Sequence, residues 1–287
     1  MGASSRSSGL EPSTSPRVPS TVSPPPAARI SRRDRILIFI CLTLVVALAW
    51  AYLIHLDRQM DSEMAHHTMM AAMEMTMEMP PWTAADVAFT FAMWVVMMVG
   101  MMAGTAAPVL LMFAAAHASR GGRRVPWIVL VFGLGYVIVW VGFSAGAALA
   151  QWGLHSAALL SPMMAASSPR AAGVILMVAG LYQLTPFKRA CLTHCRSPLG
   201  FLMTHWRGGT RGALLMGLRH GAYCLGCCWA LMGVLFAVGV MNLVWVAALT
   251  LFVLMEKSGP AGIVIARLTG AVMTAFGGLL AFGYQWP

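Results

Sequence analysis

The chain has 287 residues, 59% of them hydrophobic and 10% charged, with a mean hydropathy of +0.75 and a formal charge of +10. A soluble domain carries about 45–50% apolar and about 25% charged residues, so this composition excludes a water-soluble globule, a disordered chain and a collagen-like one. It predicts an all-α polytopic transmembrane bundle, and at about 20 apolar residues per crossing the length suffices for about six to eight spans.

Residues 1–35 are rich in Ser, Pro and Arg and read as a disordered basic tail, because such a segment cannot bury enough apolar area to offset its ordering entropy. Arg29, Arg32, Arg33 and Arg35 precede an apolar run over 36–54. That run exceeds the roughly 7–15 residues of a cleaved signal core and reads as a first transmembrane anchor. Ala47-Leu48-Ala49 leaves cleavage open, and six spans would then remain of seven.

Residues 55–82 form a polar interlude dense in methionine, from Met60 to Met79, with His55, His66 and His67 among them. A six-helix core over 83–287 follows, with apolar segments at 87–112, 127–150, 171–187, 221–238, 243–255 and 261–283. Gly121-Gly122, Pro126, Pro169, Pro186 and Gly259-Pro260 mark several of their ends. With the N-terminus inside and the C-terminus outside, seven spans put every Lys and Arg in inner segments except Arg58, Arg170 and Arg267. This is the asymmetry that positive-inside insertion produces in a bacterial cytoplasmic membrane, and it accounts for the basic balance without nucleic acid.

Soft metal ligands recur along the chain. A loop at 188–211 holds Cys191, His194 and Cys195, and the fifth span opens with His220, Cys224, Cys227 and Cys228. Both groups put ligand-type residues at i, i+3 and i+4, which share one face of an α-helix. Both belong at the inner surface, where thiols stay reduced. Thiolates and thioethers suit Cu(I), and zinc is possible where His and Cys combine. A buried Cys is also commonly an inert small hydrophobe. The second span carries a stripe of Met93, Met97 and Met101, which reads equally as gap-filling core. The outer segment offers His66, His67, Met69 and Met70, a thioether and imidazole set with little packing purpose. His205, and Glu256 beside Lys257, are further candidate ligands, each also readable as an interface side chain.

The segments MWVVMMVGMM, GLYQLTPFKRACLTHCRSP, HWRGG and GAYCLGCCWALM, the GVMN turn and Glu256-Lys257 resemble a bacterial family of predicted metal-binding integral membrane proteins, the domain-of-unknown-function 2182 family. The resemblance covers roughly residues 85–280. It implies a multi-pass metal-binding protein connected with copper, and carries the ligand role to Cys191, His194, Cys195, Cys224, Cys227 and Cys228.

The expectation is therefore a membrane protein that binds a soft metal ion, Cu(I) before zinc, for transport, transfer or delivery to a metal chaperone or metalloenzyme. A membrane thiol oxidoreductase using the same cysteines and a non-catalytic assembly subunit are the alternatives. No phosphate loop, nucleophile elbow or HExxH motif is present, so the sequence carries no positive enzyme signal.

Overall fold

Ten helices make up the computed structural model, which describes residues 30–72, 82–122, 124–157, 159–160 and 165–283, with only the backbone of 61 and 63–72. They are α1 (Arg32–Ala72), α2 (Ala84–Ser119), α3 (Val125–Ser156), α4 (Pro169–Leu184), α5 (Pro186–Arg196), α6 (Pro198–His205), α7 (Gly209–Gly233), α8 (Leu235–Val238), α9 (Leu243–Ser258) and α10 (Gly262–Ala281). No strand occurs among the described residues, and the all-α expectation stands.

Local chemistry sets the boundaries. Thr83 and Asp86 form a reciprocal capping box at the start of α2. Ser168, Thr185 and Asn242 accept backbone N–H groups at the starts of α4, α5 and α9. Proline occupies the first positions of α3, α4, α5 and α6, where its missing N–H has no intrahelical partner to lose. The segment expected as a loop over 188–211 is thus largely helical. Pro186 and Pro198 act in it as helix starters, and α1 likewise continues through the start of the Met/His segment as far as Ala72. The expected basic tail lies, over residues 1–29, outside the described residues.

Five stretches among the described residues are long and apolar enough to cross a membrane: Arg32–Met60, Ala84–Ser119, Val125–Ser156, Gly209–Val238 and Gly262–Ala281. The pair α4–α5, bent by 65°, makes a sixth if it is one broken span. Of the seven expected segments, 243–255 lacks the length, and 171–187 reaches it only if α4 and α5 count as one broken span. With 16 residues α9 is about 24 Å long, against a hydrocarbon thickness of about 30 Å. The outward faces carry exposed Leu130, Val244, Leu268 and Val272, the apolar surface that lipid covers.

Small residues let the helices approach. A Cβ built on Gly173 or Gly180 of α4 would stand 2.5 Å from the backbone nitrogen of Ala281 or Thr274, and one on Gly277 of α10 would stand 2.5 Å from that of Met177. Backbone thus packs on backbone along the α4–α10 seam, as is usual where lipid supplies no hydrophobic driving force between helices. The core between α2, α3 and α7 is filled by Trp94, Met98, Met102, Phe113, Phe132 and Met216, all under 2% exposed.

Candidate metal centre

Cys224, Cys227 and Cys228 lie one turn apart on α7 and are all buried. The thiols of Cys227 and Cys228 donate to the Cys224 carbonyl at 3.1 and 2.9 Å, which fixes their rotamers. From α5, Cys195 brings its Sγ to 3.9 Å from Cys227 Sγ.

Gly226 and the bend at Thr185 explain how α5 reaches α7. A Cβ on Gly226 would stand 2.8 Å from Cys191 Sγ, so the glycine inside CLGCC is the gap that Cys191 fills. Tyr182 donates to the Gly226 carbonyl and ties the end of α4 to the same spot.

Two neighbouring charges on α9 complete the surroundings. Glu256 turns toward α4 and α5, where Lys188 Nζ meets its carboxylate at 2.8 and 3.0 Å and Gln183 donates to it at 3.2 Å. Lys188 and Glu256 are each 1% exposed. Arg196 caps the same region, donating to the Glu256 and Pro260 carbonyls at 2.5 and 3.3 Å. Lys257 turns toward α7 instead. Its ammonium stands 2.9 Å from Cys224 Sγ, 3.4 Å from Thr105 Oγ1, 3.9 Å from Met102 Sδ and 4.0 Å from Cys228 Sγ. The Tyr136 hydroxyl reaches Cys224 Sγ at 3.0 Å from α3.

The candidate ligands of the sequence reading therefore divide. Cys195, Cys224, Cys227 and Cys228 are brought together, with Cys191 beside them at Gly226. His220 lies one turn before Cys224, 4% exposed, among the rings of Phe132, Tyr136 and Phe201, and its Nδ1 has no hydrogen-bond partner. His194 is stacked on Tyr223 with ring centroids 4.4 Å apart, and its Nδ1 faces the Ala190 carbonyl at 2.8 Å. His205 stacks on Phe201 and contacts Thr204. Glu256 is taken up by Lys188 rather than by the sulfurs. Met93, Met97 and Met101 are buried core, and the methionine that meets the cluster is Met102, on the adjacent face of α2. The side chains of His66, His67, Met69 and Met70 lie outside the described residues. Among the described residues, no three His, Cys, Asp or Glu side chains stand as a ready metal-holding group.

Residues 91–280 match the PpoB2 family model, described as copper chaperone. The chain belongs to this family. Neither a curated protein nor a solved structure matches it. The matched stretch contains every residue of the sulfur cluster and leaves out α1 with the Met/His segment. Sequence reasoning missed Tyr136, Gln183, Lys188 and Lys257 as parts of this centre of a copper chaperone family member. Lys257 was legible only as the end of the apolar segment at 243–255, and its turn toward the sulfurs is set by the packing of α9 against α7.

Proposed function

We propose that this chain is a membrane-embedded copper chaperone that holds Cu(I) at the α5–α7 sulfur cluster and gives it up to a partner protein. The observation that carries the reading is the meeting of Cys195 and Cys227, from different helices, beside Cys224 and Cys228. Buried sulfur ligands with few oxygen neighbours favour Cu(I) over harder ions, and Zn(II) is the second choice. His220 is an available nitrogen donor, because its Nδ1 has no other partner. Loading requires Cys227 and Cys228 to release the Cys224 carbonyl, a rotamer change rather than a refolding.

In this reading the protein sits in a bacterial cytoplasmic membrane with its N-terminus inside. The methionines and histidines after the first span then collect metal outside, and the Cys cluster holds it near the inner face. The positive charges in alternate connections support that orientation. Copper content of the purified full chain under reducing conditions tests the binding. Near-stoichiometric copper that is lost in a Cys195→Ser, Cys227→Ser double variant supports it, and copper retained by that variant refutes the site.

The same 3.9 Å approach of Cys195 and Cys227 also favours a second reading, a dithiol that cycles with a disulfide. A redox-dependent mobility shift of metal-free protein, abolished by Cys195→Ser, would decide for it.

A further inference from the structure

Lys257 is a buried ammonium without a carboxylate. The ion pair found among the described residues joins Lys188 to Glu256, and Lys257 has no part in it. Its side chain is 9% exposed and enters from an apolar helix. A charge in such an interior is heavily penalised unless a counter-charge or strong acceptor faces it. Three of the four groups around Nζ are sulfur: Cys224 at 2.9 Å, Met102 at 3.9 Å and Cys228 at 4.0 Å. These are soft donors, the type that a Cu(I) ion selects.

We infer that Lys257 is a place-holder cation, whose ammonium occupies the sulfur cluster when the metal is absent and exchanges with a monovalent soft ion when it arrives. The inference rests on the proposed copper reading and adds how the cargo is released. The ammonium and the ion carry the same charge, so one can replace the other at the sulfurs, and each thiol that bonds to the ion gives up its proton to solvent. On release the ammonium returns to Cys224, and the emptied cluster is not left without its cation. The flexible four-carbon stem of lysine permits the swing, and Thr105 at 3.4 Å offers the head group an oxygen at the edge of the cluster.

Release kinetics test this. The full chain and its Lys257→Leu variant are loaded with Cu(I) in detergent under reducing conditions, and copper transfer to a chromophoric Cu(I) chelator is timed. The leucine variant should hold copper and release it about tenfold more slowly, because no cation returns to the sulfurs. Lys257→Arg, which keeps the charge, should restore release toward the wild-type rate. Lys257→Gln keeps a donor beside Cys224, drops only the charge, and carries the same expectation if the leucine variant does not fold. Wild-type protein that holds no Cu(I) overturns the proposed function and this inference with it. Wild-type protein that holds Cu(I), beside uncharged variants that release it at the same rate or hold none, overturns the place-holder alone.

Discussion

Cys195 and Cys227 bring their sulfur atoms to 3.9 Å across 32 residues of sequence, one from the short helix α5 and one from the long helix α7. Neither helix alone offers that pair. The approach depends on the 65° bend between α4 and α5 and on the absence of a side chain at Gly226. The centre is therefore a product of packing, and its parts can be tested separately.

Removing either sulfur should abolish tight copper binding. Cys195→Ser and Cys227→Ser should each weaken Cu(I) binding beyond the roughly 10–100-fold that loss of an outer partner costs a metal site. The double variant should be little worse than either single one, because both remove the same bridge. Competition with a Cu(I) chelator measures this, and additive losses would show that the two sulfurs act independently.

Gly226→Ala tests the approach itself. Its Cβ would stand 2.8 Å from Cys191 Sγ, so the Cys191 thiol has to turn aside or α5 has to shift. Overpacking of this kind costs about 1–3 kcal/mol, and the shift should also weaken copper binding. Gly233→Ala, on the same helix with open space around it, is the control and should leave both unchanged or raise stability slightly. Thermal unfolding and copper titration on the two variants separate the site effect from helix propensity.

How much of this was legible in the sequence varies by residue. The trio on α7 was readable, because i, i+3, i+4 spacing puts Cys224, Cys227 and Cys228 on one face whatever the helix packs against. The directions of Glu256 and Lys257 were not. Consecutive residues on a helix point about 100° apart, so one of the two reaches α5 and the other α7, and only the packing around α9 decides which. His194 carries the spacing of a ligand, yet the nearby Tyr223 ring holds it in a stack. The shape of 188–211 turned on whether Pro186 and Pro198 end structure or begin it, and the caps at Thr185 and Ser197 are followed by helix.

The Lys188–Glu256 pair should matter for folding more than for metal. Both groups are 1% exposed, and removing one partner leaves the other charge buried. Glu256→Ala should destabilise by about 3–5 kcal/mol, and a Lys188→Met, Glu256→Leu double variant should recover much of that loss. Thermal unfolding in detergent reads both. A double variant as unstable as Glu256→Ala would mean that the pair contributes more than the compensation of its own charges, through Gln183 and the bend it closes.

The α4–α10 seam gives a prediction away from the cluster. Gly180→Ala would drive a methyl against the Thr274 nitrogen at 2.5 Å and the Gly270 carbonyl oxygen at 2.7 Å, and backbone cannot rotate aside as a side chain can. The two helices should separate, with a loss of about 1–3 kcal/mol in thermal unfolding. Copper stoichiometry should persist in the protein that remains folded, because the sulfurs of α7 do not touch this seam.

His220 separates stability from binding. Its ring lies among Phe132, Tyr136 and Phe201, 4% exposed, with Nδ1 unpaired. An unsatisfied buried polar group costs about 1–3 kcal/mol, so His220→Leu should leave metal-free protein as stable as wild type or more so. If the nitrogen is kept for the cargo, the same variant should bind Cu(I) about tenfold or more weakly. Thermal unfolding without metal, beside chelator competition with it, reads the two effects on one variant. A leucine variant that gains stability and keeps full copper affinity would reduce His220 to a packing residue and leave the sulfurs as the whole of the ligand set.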